Sequence, residues 1–146
     1  MKLKQLSLFL ENKPGALSAP VKLLADAGIN ILTLSIAEGR QYGILRLVVQ
    51  DWAEAKNLLQ KNGLVVNVTD VLAIEVPDQP GGLAGVLAAL EEAGLNLEYM
   101  YAFTVRHGTN GFFVFRYDDP DKAIAVLEKH KINVVGSAQL CKRLEN

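Results

Sequence analysis

The sequence predicts an α+β fold made of two tandem βαββαβ units. Three observations support this prediction: the chain repeats itself, each repeat alternates apolar strands with amphipathic helices, and turn-forming residues separate these elements in the same order in both copies. The chain has 146 residues, of which 50% are hydrophobic and 21% are charged. Such a composition excludes intrinsic disorder and provides enough apolar surface for a core without a metal or disulfide.

The internal repeat appears when the chain is compared with itself at an offset of 66 residues. The residues identical at this offset are Pro14, Gly15, Leu17, Leu24, Ala27, Gly28 and Asn30, which match Pro80, Gly81, Leu83, Leu90, Ala93, Gly94 and Asn96. An insertion of two residues then aligns Gly43 with Gly111 and Asp51 with Asp119. We therefore expect two units, residues 1–69 and 70–146, fixed side by side because no flexible linker separates them.

Each copy predicts the same six elements. Alternating apolar residues form a first strand at 6–10 or 72–76, and an amphipathic helix follows that ends at Gly28 or Gly94. The second strand, third strand, second helix and fourth strand are predicted at 29–37, 44–49, 52–62 and 64–68, and again at 95–105, 112–117, 120–130 and 132–135. This order is typical of the ferredoxin-like fold, with an antiparallel four-stranded sheet and both helices on one of its faces.

Two features of the repeat predict further structure. Pro20 lies inside the first helix, so we expect that helix to begin late or with an irregular turn. Several strands are apolar on both faces, as Phe112 and Phe113 illustrate. The sheet face away from the helices would then be an exposed apolar patch, and we expect a homodimer to cover it.

The turn between the first strand and the first helix is the candidate binding site. Pro-Gly in this turn keeps side chains away from the start of the helix, whose N–H groups and partial positive charge favour a carboxylate. The side chain of Asn12 or Asp78 can accept hydrogen bonds from an ammonium group. A free amino acid carries both charges. The predicted ligand-binding residues of the two turns are Asn12, Gly15, Ala16 and Leu17, and Asp78, Gly81, Gly82 and Leu83.

Asn30 and Asn96 complete the predicted site. Each follows the glycine that ends the first helix, at the start of a strand expected at the outer edge of the sheet. An amide there can donate to a carboxylate or accept from an amine. Structural alternatives exist for these positions, since Asn12 and Asp78 could be helix N-caps and Asn30 and Asn96 could be turn residues.

These residues together resemble the ACT domain, a small regulatory module that senses amino acids. The resemblance rests on the βαββαβ order, an Asn or Asp two residues before Pro-Gly, and a helix that ends in Gly-hydrophobic-Asn, and it covers nearly the whole chain as two copies. It implies a non-catalytic sensor that binds a free amino acid between its units and modulates a partner enzyme of amino-acid metabolism. It also implies that Asn12, Gly15, Ala16 and Leu17 face Asn96, and that Asp78, Gly81, Gly82 and Leu83 face Asn30. The alternative is a ligand-independent module or subunit that docks on a biosynthetic enzyme.

The sequence argues against other classes of function. A net charge of −1 provides no basic surface for RNA, although Phe112 and Phe115 on the third strand superficially resemble an aromatic platform. His107 and His130 lack a second ligand at metal spacing, and Cys141 lacks an adjacent base. Small hydrolases with this fold need a cationic side chain that binds an anion. Lys13 is such a cation in the first turn, but its counterpart in the second turn is Gln79, so the copies do not share this feature. We therefore expect no catalytic residue, no metal and no cofactor.

The chain also contains no membrane or secretion signal. No apolar run approaches the roughly 20 residues that a membrane span needs, and the N-terminus is interrupted by polar residues. Cys141 is the single cysteine, so no disulfide can form within the chain. We expect a cytoplasmic protein without membrane or nucleic-acid partners.

Overall fold

The computed structural model describes residues 1–144 and contains two compact units. The N-terminal unit comprises Lys4–Thr69, and the C-terminal unit comprises the chain from Asp70 onward together with Met1–Leu3. Each unit has its own buried core of apolar side chains. Within the described range, no helix has the length and apolar character to cross a membrane.

The N-terminal unit is built on an antiparallel sheet with the strand order β2-β3-β1. Its elements are β1 (Leu3–Glu11), α1 (Ser18–Asp26), β2 (Ile31–Ala37), β3 (Tyr42–Val49), α2 (Trp52–Lys61) and the first residues of β4 (Val66–Pro77). Leucines that alternate along β1 and β3 face the same side and pack with Leu24 of α1 and Leu59 of α2. Strand β2, which follows Asn30, lies at the edge of this sheet, as predicted.

The C-terminal unit repeats this order from β4 onward. Its further elements are α3 (Gly82–Glu92), β5 (Leu97–His107), β6 (Asn110–Tyr117), α4 (Pro120–Lys129), β7 (Val134–Val135) and α5 (Ser137–Leu144). Strand β4 pairs with β6 and β7, and β5 pairs with the other edge of β6, all antiparallel. Both units therefore have the βαββαβ order of the ferredoxin-like fold, which confirms the predicted fold class.

The strands around the repeat boundary differ from the prediction. The predicted strands at 64–68 and 72–76 are parts of one strand of 12 residues, β4. Thr69 and Asp70 lie inside it, and neither is a glycine or proline that would end a strand. The fourth strand of the C-terminal unit is shorter than predicted, because β7 has only two residues.

Helix α1 begins late, as Pro20 predicts. It starts at Ser18, so Pro20 lies in its first turn, where a missing N–H costs no helical hydrogen bond. Helix α3 starts earlier in the repeat, at Gly82. A Cβ atom at Gly82 would lie 2.0 Å from the carbonyl oxygen of Pro77. The aligned residue of the first repeat is Ala16, whose Cβ excludes this close approach and favours the irregular turn before α1.

Helix α5 was not predicted, and it covers the sheet of the C-terminal unit on the face away from α3 and α4. Glu75 lies between Ile74 and Val76, whose side chains pack in the core with α3 and α4, so the Glu75 side chain points to the other face. Arg143 of α5 donates a hydrogen bond of 2.6 Å to Glu75 Oε2. Leu140 of the same helix is fully buried. This face is therefore closed by a helix that has no counterpart in the first repeat.

The corresponding face of the N-terminal sheet is open. Phe9 aligns with Glu75 at the repeat offset, pairs with Ile44 across the strands and is 60% exposed. Tyr42, two residues before Ile44 on the same face, is 56% exposed. The predicted apolar patch therefore exists on the N-terminal unit, whereas α5 covers it on the C-terminal unit.

Candidate functional site

The strand-helix turn has the same framework in both units. The backbone N–H of Asn12 donates to the carbonyl of Gln41 at 2.8 Å, and the N–H of Asp78 donates to the carbonyl of Thr109 at 3.0 Å. These bonds join the turn to the hairpin between β2 and β3, or between β5 and β6. The end of the first strand, the start of the helix and the hairpin therefore meet at one place in each unit.

The N-termini of α1 and α3, which lie at these turns, carry no side-chain cap. The N-cap residues are Leu17 and Gly81, and within the described chain neither α1 nor α3 has a side-chain hydrogen bond at its N-cap. Gly15 and Gly81 both have φ of +86°, a conformation that favours glycine and keeps the turn free of a Cβ. Asn12 and Asp78 are therefore not the N-caps of these helices. The N–H groups of Ala16 and Gly82 donate within the turns, to the carbonyls of Lys13 at 3.3 Å and Gln79 at 3.0 Å, so an anion at these sites uses other N–H groups of the helix starts.

A cavity of about 260 Å³ lies beside this turn in the N-terminal unit. Its lining comprises Leu10, Glu11, Asn12, Lys13, Ala16, Leu17, Ile36, Glu38, Gly39 and Gly43. One side is apolar, formed by Leu10, Leu17 and Ile36, and Leu17 and Ile36 are 37% and 48% exposed. Three of the predicted site residues, Asn12, Ala16 and Leu17, line this cavity.

The mouth of the N-terminal cavity carries both signs of charge. Lys13 Nζ lies 2.9 Å from Glu11 Oε2, and both side chains are largely exposed. The side-chain amide of Asn12 donates to the carbonyl of Gly39 at 3.2 Å. The amide nitrogen of Asn12 is therefore used by the hairpin, while its side-chain oxygen retains its capacity to accept a hydrogen bond.

A matching cavity of about 320 Å³ lies beside the turn of the C-terminal unit. Its lining comprises Val76, Pro77, Asp78, Gln79, Leu83, Ala102, Phe103, Thr104, Arg106, Gly111, Phe112 and Phe113. Val76, Leu83 and Ala102 align with Leu10, Leu17 and Ile36, so the same positions of the repeat form both apolar walls. The predicted residues Asp78 and Leu83 line this cavity, and Gly81 and Gly82 lie in the adjoining turn.

Arg106 is a residue of this cavity that the sequence reasoning missed. Its Nη1 atom lies 3.0 Å from Asp78 Oδ2, and the two side chains are 71% and 48% exposed. The arginine lies in β5 next to the hairpin, 28 positions after Asp78, so no local motif links the two. The repeat nevertheless contains one indication of its importance: Arg40, at the repeat offset of 66 residues from Arg106, is also an arginine near the corresponding hairpin.

Asn30 and Asn96 do not line the cavity of their own unit. Each follows the C-terminal end of α1 or α3, and both are exposed. Asn30 lines a separate open cavity with Val21 and Ile31, and its carbonyl accepts from the N–H of Gln50 at 3.2 Å. The backbone N–H of Asn96 donates to Asp118 Oδ1 at 3.3 Å. Whether these asparagines contribute to binding stays a prediction.

The remaining reactive residues form no cluster. Among residues 1–144, no group of three or more His, Cys, Asp or Glu side chains could hold a metal ion. Cys141 is a free thiol of intermediate exposure in α5. The two cavities, each with an apolar wall and a mouth of mixed charge, are the arrangement that suits small-molecule binding.

Comparison with known proteins supports the same family in sequence and structure. A family model described as the ACT domain pair matches residues 1–144. The acetolactate synthase small subunit of Buchnera aphidicola subsp. Baizongia pistaciae (strain Bp) is 32% identical over 80 residues, which are 54% of this chain and 50% of that protein. The alignment thus spans about half the length of that relative.

Two solved structures share the fold. Protein BT0572 of Bacteroides thetaiotaomicron is 41% identical, with 96% of each chain covered and a TM-score of 0.90. The ligand-free regulatory subunit of aspartate kinase from Thermus thermophilus is 16% identical, with 86% of this chain and 91% of that chain covered and a TM-score of 0.62. The second likeness concerns the fold alone. With two ferredoxin-like units and a family match over residues 1–144, the chain belongs to the ACT domain pair family.

Proposed function

We propose that this ACT domain pair is a non-catalytic sensor that binds a free amino acid at its strand-helix turns and modulates a partner enzyme of amino-acid metabolism. The observation that carries the proposal is the presence of two equivalent cavities, each with an apolar wall and one cation and one anion at its mouth. A free amino acid presents the complementary features, an ammonium group, a carboxylate and a side chain of suitable size.

The electrostatics of each turn favour a zwitterion over a simple ion. The uncapped start of α1 or α3 attracts a carboxylate, because the first N–H groups of a helix and its dipole favour negative charge. Carboxylate oxygens of Glu11 or Asp78 at the same mouth can accept from an ammonium group. A ligand with both charges therefore satisfies both halves of the mouth.

The proposed contacts follow the residues of the two turns. The backbone around Gly15 to Leu17 and around Gly81 to Leu83 binds the carboxylate, and Asn12 or Asp78 accepts from the ammonium group. Asn96 and Asn30, which follow the ends of α3 and α1, are proposed as further ligand contacts.

One relative supports a regulatory role. The acetolactate synthase small subunit matches this chain at 32% identity, and we propose by analogy that this protein also acts on an enzyme of amino-acid synthesis. Binding would then change which conformation the partner favours, by as much as the ligand differs in affinity for the two conformations. The proposed location is the cytoplasm, where free amino acids and their biosynthetic enzymes meet.

Calorimetric titration of the folded protein with each of the twenty amino acids tests the proposal. We expect at least one amino acid to bind with a dissociation constant of millimolar or below, and Asn96→Ala to weaken that binding. Because the Asn96 side chain is exposed, we expect the melting temperature of this variant to stay close to that of the wild type. Absence of binding by all twenty, in protein shown by circular dichroism to be folded, would favour the ligand-independent docking module instead.

We also propose that the chain forms a homodimer. The support is the open sheet face of the N-terminal unit, where the exposed Phe9 and Tyr42 offer an apolar surface. Sedimentation equilibrium is expected to give twice the chain mass of 15.9 kDa for the wild type and a shift toward the single-chain mass for Phe9→Asp. A wild-type protein that remains at the single-chain mass at high micromolar concentration would contradict this part of the proposal.

A further inference from the structure

The ion pair at the mouth of the C-terminal cavity joins two separate parts of the unit. Asp78 belongs to the turn after β4, and Arg106 belongs to the hairpin arm of β5. Their contact of 3.0 Å between Nη1 and Oδ2 crosses the cavity that both side chains line. In the N-terminal cavity the ion pair is local, because Glu11 and Lys13 are two residues apart on the same turn.

We propose that Arg106 is the specificity-determining residue of the C-terminal cavity. Together with the backbone at the start of α3, it binds the α-carboxylate of a free amino acid with an apolar side chain, while Asp78 leaves Arg106 and accepts from the ammonium group of the ligand. This inference rests on the proposed function and identifies the ligand class of one of its two sites.

Replacing the ion pair between Asp78 and Arg106 by the two charges of the ligand costs little free energy. Both side chains are at least 48% exposed, and an ion pair between exposed groups contributes little to stability because water screens it. The planar guanidinium of arginine can donate two parallel hydrogen bonds to a carboxylate, which a lysine cannot do. A zwitterion replaces both partners of the pair, so that neither Asp78 nor Arg106 loses its counter-charge.

The same geometry excludes analogues with a single charge. An amino-acid amide brings an ammonium group to Asp78 but no carboxylate to Arg106. An N-acetyl amino acid brings the carboxylate without the ammonium group. Either analogue leaves one charged residue unpaired at the mouth, and a site built for a polar group discriminates strongly against a ligand that lacks it.

The walls of the cavity define the side-chain preference. Val76, Leu83 and Phe113 line it below the charged mouth. These side chains carry no hydrogen-bonding group, and the polar side chains that line the cavity besides the ion pair are the exposed Gln79 and Thr104. A charged or amide side chain would lose its hydration there without a new partner, whereas an apolar side chain gains from leaving water.

The N-terminal unit provides a matched control. Arg40 lies at the same repeat offset as Arg106 and is exposed, but it does not line the N-terminal cavity. Replacing Arg40 by glutamine therefore makes the same chemical change in the equivalent hairpin without touching a proposed ligand contact.

The experiment is calorimetric titration of the full chain with valine, leucine, isoleucine, methionine and phenylalanine, followed by the amide and the N-acetyl derivative of the tightest ligand. We expect Arg106→Gln to weaken binding of that amino acid at least tenfold, Arg106→Lys to weaken it less, and Arg40→Gln to leave it unchanged. We expect the amide and the N-acetyl derivative each to bind wild-type protein at least tenfold more weakly than the parent amino acid. In Arg106→Gln the amide and the parent should both still bind measurably and differ less in affinity than they do with the wild type, which a loss of folding would not produce.

Three outcomes would overturn the inference. Equal affinity of wild type and Arg106→Gln for the amino acid would remove Arg106 from the site, and equal affinity of wild type for the amide would remove the carboxylate contact. Binding by polar amino acids alone would refute the apolar ligand class. In these cases the proposed sensor function stands, whereas failure of all twenty amino acids to bind defeats both.

Discussion

Replacing Glu75 by alanine is expected to lower the free energy of unfolding by about 3 kcal/mol, because it breaks a largely buried ion pair and leaves its donors without an acceptor. The Glu75 carboxylate accepts from the side-chain amides of Asn110 at 3.0 Å and Asn133 at 2.7 Å, and from Arg143. Its side chain is only 13% exposed. Loss of the carboxylate should also weaken the attachment of α5 to the sheet, since Arg143 of α5 pairs with it.

Urea unfolding followed by circular dichroism measures this effect, and Glu98→Ala is its control. Glu98 of β5 also pairs with an arginine, with Arg116 Nε 3.1 Å from its Oε2, but its side chain is 42% exposed, so its truncation should change the free energy of unfolding far less. A loss below about 1 kcal/mol in Glu75→Ala, the size of an ordinary exposed pair, would show that the carboxylate does not hold α5.

The contribution of Glu75 should depend on pH. Burial alone would raise the pKa of Glu75, but the hydrogen bonds from Asn110, Asn133 and Arg143 outweigh burial and hold the pKa below its ordinary value. A carboxyl whose pKa is lower in the folded state stabilises the fold above its ordinary pKa of about 4.3, and that stabilisation is lost as the pH falls through the folded pKa. The difference between wild type and Glu75→Ala should therefore be full at pH 7 and shrink in acid.

Adding a single methyl group at Gly82 is expected to cost about 2 to 3 kcal/mol, because an alanine Cβ would meet backbone rather than a movable side chain. The nearest atoms are the carbonyl oxygen of Pro77 at 2.0 Å and its carbon at 3.0 Å. Relief requires the start of α3 to move away from the end of β4. The turn that lines the C-terminal cavity would then change shape, so the proposed amino-acid binding there should weaken as well.

Gly85 provides the matched control for this variant. It lies three residues further along the same helix, is exposed, and has no atom within 4 Å of a Cβ built on it. Gly85→Ala should therefore raise the free energy of unfolding by about 0.5 to 1 kcal/mol, the usual gain of alanine over glycine in a helix. Thermal unfolding of the two variants side by side decides the matter, and equal behaviour would contradict the proposed clash.

Much of the fold followed from local patterns that the repeat shows twice. The alternation of leucines predicted β1, and the glycines after α1 and α3 predicted the helix ends, because both signals depend on neighbours in sequence. Helix α5 escaped prediction since it exists only in the second repeat and depends on a distant partner, the contact between Arg143 and Glu75. The continuity of β4 was missed for a related reason: the repeat boundary suggested a division that no turn residue enforces.

The sequence predicted those residues of the candidate site that lie in or next to the strand-helix turn. Asn12, Asp78, Leu17 and Leu83 do line the cavities, because the strand-helix connection places them there. Arg106 was not predicted, since its approach to Asp78 depends on the register of the β5-β6 hairpin and on an insertion relative to the first repeat. Pairing across hairpins is not encoded in any short motif.

The unequal starts of α1 and α3 restrict how the two halves of the gene can exchange sequence. A transfer of single positions from the first repeat into the second would bring alanine to position 82, against the Pro77 carbonyl, or proline to position 86, where Val86 is buried within α3. A proline there would also remove a helical N–H. Each helix start is therefore matched to the residues of its own repeat, so the two strand-helix turns can diverge in sequence independently.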